Sequence, residues 1–279
     1  MMSPAAPREE SGPPLESLAA LKRDLEHLGS ALVACSGGVD SALLAVVARE
    51  VLGDRMTCVF LEGPLVPRAD ARAAEALAAR HRIPLAVVPF DPLGKPEIAR
   101  NGADRCYHCK KAIARLLQRE ATRRDLEAVV DGVNASDLQE FRPGLVACSE
   151  EGILHPLAAA GITKPMVRAL ARHLDLAIAE KPSSACLASR VPYGEPLEPG
   201  LLAMVEQGEE MLHGLGFHLA RVRAHGRLAR IEIPADELDR AVTAAAHIVP
   251  ALKATGFAYV TLDLEGYRTG AMDEVLEPE

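Results

Sequence analysis

Residues 30–52 read SALVACSGGVDSALLAVVAREVL, and the rest of the chain is best understood outward from them. Ala31 to Ala34 are apolar without interruption, the signature of a short strand buried on both faces. Gly37 and Gly38 predict a tight turn, and Ser41 to Leu52 carry the residues of a helix. The same alternation continues downstream. A helix is expected over 15–28, strands over 56–61, 85–89 and 128–131, and helices over 68–81, 105–121 and 164–174. Short apolar strands alternating with amphipathic helices predict an α/β fold, a doubly wound parallel sheet with a ligand at the carboxyl ends of its strands. Beyond about residue 190 the texture changes. A helix (199–215), two alternating strands around His225–Gly226, a helix (235–249) and a strand (257–264) predict a smaller C-terminal α+β domain. The expected organisation is a disordered tail (1–14), a nucleotide domain (15–190) and a substrate or oligomerisation domain (191–279).

Composition narrows the function classes. Of 279 residues, 49% are hydrophobic and only 3% aromatic with no Trp, so the core must be built from Ala, Val, Leu and Ile. A net charge of −8 argues against nucleic acid as a partner, because phosphate contacts need a concentrated basic surface. The polar, Pro-rich start lacks the apolar run of a signal peptide, and no stretch approaches the roughly 18 apolar residues of a membrane span. A cytoplasmic location is therefore expected, where six cysteines serve as thiols, metal ligands or redox groups rather than disulfides.

Three clusters carry chemistry. In Ser36-Gly37-Gly38-Val39-Asp40-Ser41 the glycines let the backbone approach an anion and successive amides form a nest. The next helix aims its N-terminal amides and positive dipole end at the same point. Ser36 and Ser41 add hydroxyls, and Asp40 can help hold Mg2+. Asp131-Gly-Val-Asn-Ala-Ser-Asp137 follows the strand at 128–131 and so falls at the same sheet edge, which makes Gly132, Asn134 and Asp137 candidates for the same site. Finally, Cys106 and Cys109 form a C-x-x-C within RCYHCK, and a distant Cys186 lies in KPSSACLASR. Two sulfurs at that spacing reach one metal or cluster, and a third would complete a three-thiolate site. A redox dithiol and a zinc site completed by His108 or His155 are the competing readings, while Cys35, Cys58 and Cys148 have the apolar surroundings of core thiols.

SGGVDS resembles the signature of the PP-loop ATP pyrophosphatases, which cleave ATP between its α- and β-phosphates and leave an adenylate; the lysine-bearing phosphate loop G-x-x-x-x-G-K-[ST] is absent. Over residues from about 15 onward the chain resembles the LarE family of ATP-dependent sulfur transferases. That resemblance rests on SGGVDS, RCYHCKK, DGVNASD with Arg142-Pro-Gly144, and LHPL at 154–157 before Thr163-Lys164. It continues through KPSSACLASRVPYG, the Arg221–His225 and Arg230–Glu232 hairpin, and Gly266–Gly270. It implies adenylation of the carboxylates of pyridinium-3,5-biscarboxylic acid mononucleotide, then their conversion to thiocarboxylates for the nickel-pincer cofactor of lactate racemase. It also implies catalytic roles for Cys186, Asp40 and Ser41, ATP contacts from residues 36–41, and a 4Fe-4S cluster on Cys106, Cys109 and Cys186. An alternative within the family has Cys186 donate its own sulfur. A homo-oligomer is implied as well.

Arginine forks suit the phosphate of such a substrate, which makes Arg190, Arg221 and Arg223 candidates together with Ser189, while Glu209 and Glu232 either face the same cleft or are structural. A PP-loop thiolase acting on a tRNA base and a non-catalytic ATP-binding iron–sulfur protein are the alternative functions.

Overall fold

The computed structural model describes residues 13–139, 143–182, 184–268, 270–272 and 274, so the tail expected over 1–14 lies almost wholly outside the described residues. The chain runs α1 (Pro13–His27), β1 (Ala31–Cys35), α2 (Val39–Leu52), β2 (Met56–Glu62), α3 (Arg68–His81), β3 (Leu85–Pro89), α4 (Pro96–Ala99), α5 (Arg105–Arg123), β4 (Ala128–Val130), α6 (Pro143–Glu150), α7 (Pro156–Ala159) and α8 (Lys164–His173). It continues through a 3-10 turn (Leu187–Arg190), α9 (Pro199–Gly214), β5 (Arg221–His225), β6 (Leu228–Glu232), α10 (Leu238–Thr243), α11 (Ala245–Ala254) and β7 (Tyr259–Leu262).

These elements form two compact units. The first holds residues up to 61, 70–88 and 113–181; the second holds 62–69, 89–112 and 182 onward. The division thus differs from a single boundary near 190, because two segments from the N-terminal half fold with the C-terminal one. Backbone hydrogen bonds explain their membership: Leu187 N–H donates to Leu65 O at 2.9 Å, Gly194 N–H to Asn101 O at 2.9 Å and Leu197 N–H to Ala99 O at 2.8 Å. Pairing of this kind is invisible to a reading along the chain.

In the first unit four strands lie in the order β3-β2-β1-β4, with β1 parallel to both β2 and β4. The order reverses between β1 and β4, and this is the switch point at which parallel sheets of this kind hold ligands. Helix α1 buries Leu18, Leu21 and Leu25, one stripe at helical spacing, and α8 buries Val167, Leu170 and Ala171. Helix α2 is apolar nearly all round and packs against both α1 and α8, so the helix that starts at the glycine turn is also among the most enclosed. Ala114, Leu117 and Ala121 of α5 join Leu32, Val59 and Val129 in a second core cluster of this unit. Helix α6 was not expected. It begins at Pro143, and Pro at the first helical position is favoured because its missing N–H has no intrahelical partner there.

In the second unit β5 and β6 form an antiparallel hairpin and β7 adds parallel to β6. Val222, Ala224, Ala229 and Ile231 face a core shared with Leu202, Val205 and Leu212 of α9. The helix expected over 235–249 is interrupted at Ala244, but its hydrogen bonds continue across the kink (Ala244 N–H to Arg240 O, 2.9 Å; Ile248 N–H to Ala244 O, 3.0 Å), and it runs on to Ala254. No described helix is long and apolar enough to cross a membrane.

Candidate functional site

The turn after β1 is held by its own residues. Ser36 N–H donates to Ser41 Oγ at 3.1 Å, and Ser41 Oγ donates to Gly38 O at 3.0 Å. Since that spends the Ser41 proton, Ser36 Oγ is the donor in the 3.1 Å contact between the two hydroxyls. Ser41 is buried, so it closes the loop rather than standing out from it. Gly37 sits at φ +73°, and a Cβ there would meet Asp70 O at 2.3 Å. Gly38 caps α2 in an extended conformation with no side-chain hydrogen bond, leaving the first-turn amides of a 14-residue helix to whatever binds there.

The 131–137 run packs onto this turn. A Cβ on Gly132 would stand 2.7 Å from Ser41 N, so only glycine allows the two backbones to approach. Asn134, buried, donates to Asp40 Oδ1 at 3.1 Å and to Asp137 Oδ2 at 2.6 Å. Asp40 also pairs with Lys164, whose backbone N–H donates to Ser136 Oγ at 3.1 Å. Asp131 Oδ1 accepts from Val133 N–H at 3.1 Å and meets His155 Nδ1 at 2.6 Å. Lys181 reaches Gly37 O at 2.8 Å and Asp70 Oδ1 at 2.6 Å. Two lysines and four aspartates are therefore gathered around the turn and the 131–137 run. Cys35, Cys58 and Cys148 are buried, as expected of core thiols. Cys35, next to the turn, is lowered to about 7, mainly because Cys58 donates a hydrogen bond to it.

The second unit carries the thiols and the arginines. Cys106 and Cys109 are one turn apart at the start of α5, on the same side of the helix. Cys109 is pushed up to about 12, first by burial and then by the neighbouring Cys186 and Cys106. Cys186 is exposed. Among the described residues no group of three or more His, Cys, Asp or Glu side chains stands together as a set that could hold a metal ion. Arg105, buried, donates to Cys106 Sγ at 3.4 Å and Ala188 O at 3.3 Å, pairs with Asn101, and lies 5.2 Å from the Tyr193 ring. Asn101 in turn donates to Pro192 O at 2.8 Å, so these two side chains staple the Cys106 helix to the segment that carries Cys186.

Residues 17–114 match the NAD synthase family. An uncharacterised protein of Synechocystis sp. is 38% identical over 92% of this chain and 96% of its own length. An uncharacterised protein of Methanocaldococcus jannaschii is 32% identical over 91% and 98%. The pyridinium-3,5-bisthiocarboxylic acid mononucleotide synthase of Lactiplantibacillus plantarum is 36% identical over 93% of this chain and 94% of its own. The chain belongs to the LarE family.

In this LarE-family chain the three candidate arginines have different surroundings. Arg190 closes its fork on Glu209 through two bonds of 2.9 Å and donates to Ala185 O, Cys186 O and Ser189 Oγ. Arg223 closes on Glu232 at 2.9 and 2.8 Å and donates to Ser189 O at 2.5 Å. Arg221 lies 5.5 Å over the Tyr267 ring, and burial together with the nearby Arg190 lowers its pKa. Glu209 and Glu232 therefore order the arginines, and Ser189 is held between them.

Breaking such a buried pair leaves a charge without its partner, whereas an exposed pair competes with water. Glu209→Ala is expected to destabilise the protein by about 3–5 kcal/mol, read as a lowered denaturation midpoint. Arg268→Ala, which removes exposed pairs with Glu265 and Glu274, is expected to leave that midpoint in place.

The sequence reading missed Lys181, Asp70, Arg105 and Asn101. Lys181 and Arg105 open the KPSSACLASR and RCYHCK motifs without a role being assigned to them there, Asp70 and Asn101 lie in ordinary helical and loop contexts, and only the folded neighbours give the four a role.

Proposed function

We propose that this chain is an ATP-dependent sulfur transferase acting on pyridinium-3,5-biscarboxylic acid mononucleotide in nickel-pincer cofactor synthesis. The observation that carries this reading is the closed SGGVDS turn at the sheet's switch point in a chain that aligns along nearly its whole length with a named synthase of that product. A substrate carboxylate oxygen attacks the α-phosphorus of ATP; the bond from that phosphorus to the bridging oxygen breaks, and pyrophosphate leaves toward the amides of residues 36–41. Asp40, held by Asn134 and Lys164, is the carboxylate that would share Mg2+. A sulfur nucleophile then attacks the acyl carbon and AMP departs, giving a thiocarboxylate. A second round gives the dithio product. Arg221, backed by the ordered Arg190 and Arg223, is assigned to the substrate phosphate.

Cys106, Cys109 and Cys186 are the residues that would hold a 4Fe-4S cluster, and the donor chemistry suits one: Cys106 and Cys109 stand one helical turn apart, Arg105 donates to Cys106 Sγ, and Cys186 is exposed. When bound, such a cluster supplies sulfide from the iron that lacks a protein ligand. A second route, favoured by that exposure, is donation of the Cys186 sulfur itself: its thiolate displaces AMP to form a thioester, and loss of the Cys186 α-proton then breaks the Cβ–Sγ bond, releasing the thiocarboxylate and leaving dehydroalanine. The reading further assigns the enzyme to the cytoplasm as a homo-oligomer, with no nucleic-acid partner.

The test is anaerobic reaction of purified protein with ATP and the biscarboxylate, followed by mass spectrometry of the small molecule and of the chain. The expected product carries sulfur in place of carboxylate oxygen. About four irons per chain and an intact polypeptide indicate the cluster route; a chain lighter by one sulfur at Cys186 indicates donation. A product without sulfur would overturn the assignment.

A further inference from the structure

We propose that Lys181 is a positioning residue that sets the orientation of the phosphate-binding amide of Gly38. The proposal rests on the ATP-cleaving function proposed above. Lys181 Nζ donates to Gly37 O at 2.8 Å while Asp70 Oδ1 anchors it at 2.6 Å, and the Asp70 carboxylate is 7% exposed. The carbonyl of Gly37 and the N–H of Gly38 belong to one planar trans peptide and point in opposite directions. Pinning the carbonyl toward Lys181 therefore turns the Gly38 N–H to the opposite side of the peptide.

Gly37 makes this control necessary. At φ +73° it has access to both signs of φ at little cost, so its peptide has no intrinsic preference strong enough to hold one orientation. The internal bonds of the turn act elsewhere: Ser41 receives the Ser36 amide and donates to Gly38 O, and neither bond touches the Gly37–Gly38 peptide's own carbonyl. Asp70 does two jobs. Its backbone oxygen lies against the Gly37 α-carbon, and its carboxylate fixes the lysine. The positive charge so placed also lies behind an anion site, where it strengthens the field of the amides.

The experiment measures binding of ATP, pyrophosphate and AMP to the full-length protein by calorimetry, for the wild type and for Lys181→Met, Lys181→Arg and Asp70→Asn. Loss of one ordered donor to an anion is worth about ten- to a hundredfold. Lys181→Met is expected to weaken ATP and pyrophosphate by that factor and AMP by far less. Lys181→Arg, which can still bridge the carbonyl and the carboxylate, is expected to recover most of the loss. An unchanged pyrophosphate affinity in Lys181→Met overturns the proposal, and so does an equal loss for all three ligands, which is what a general structural role would produce. If Lys181→Met does not fold, Asp70→Asn decides: a selective loss of pyrophosphate supports the proposal and no loss overturns it. Wild-type protein that binds neither ATP nor pyrophosphate overturns the ATP-cleaving function itself, an outcome distinct from a silent lysine.

Discussion

Gly37→Ala is expected to reduce ATP-dependent pyrophosphate release by about a hundred- to a thousandfold, the scale seen when ordered donors to a developing anion are lost. Two costs combine. An L-residue at φ +73° is strained by about 1–2 kcal/mol. The new Cβ would also stand 2.3 Å from Asp70 O, a backbone atom of α3 that cannot rotate away. The turn must therefore open, and the bonds from Ser41 that close it are lost with it. Gly38→Ala is the control: its φ is −95° and the nearest atom is Ser36 Oγ at 3.4 Å, so its loss should be clearly smaller. Steady-state pyrophosphate assays on the two variants, with thermal denaturation to confirm folding, check the order.

Cys186→Ala is expected to separate the two half-reactions. In the proposed reaction adenylation is assigned to residues 36–41 of the first unit, while Cys186 belongs to the second. Pyrophosphate should still appear in the first turnover, and sulfur incorporation should fall to background, whether the thiol holds a cluster or gives up its own sulfur. Cys106→Ala and Cys109→Ala discriminate between the routes. Under the cluster route both abolish sulfur transfer and iron content together; under donation by Cys186 both retain a single turnover. A Cys186→Ala protein that still makes thiocarboxylate contradicts the assignment of that residue.

Much of this was legible in the sequence because local patterns suffice for it. Strand β1 is a run of apolar residues, SGGVDS has few other physical uses, and helix α3 falls at 68–81 as its periodicity predicts. What was not legible depends on pairings across the chain. The residues 62–69 and 89–112 fold with the C-terminal half through hydrogen bonds such as Leu187 to Leu65. Arg190 and Arg223 look like ligand forks when read alone, but they face Glu209 and Glu232, respectively 19 and 9 residues away along the chain. Lys181 opens the KPSSACLASR motif, but its meaning comes from Gly37 and Asp70, which are brought to it by folding.

The proposed chemistry requires that the β- and γ-phosphates of ATP leave together toward residues 36–41. Single-turnover reaction with ATP labelled at the γ-phosphate, in the presence of the biscarboxylate, tests it most directly. The label is expected to emerge in pyrophosphate, in step with AMP. Label emerging as inorganic phosphate alongside ADP would contradict it.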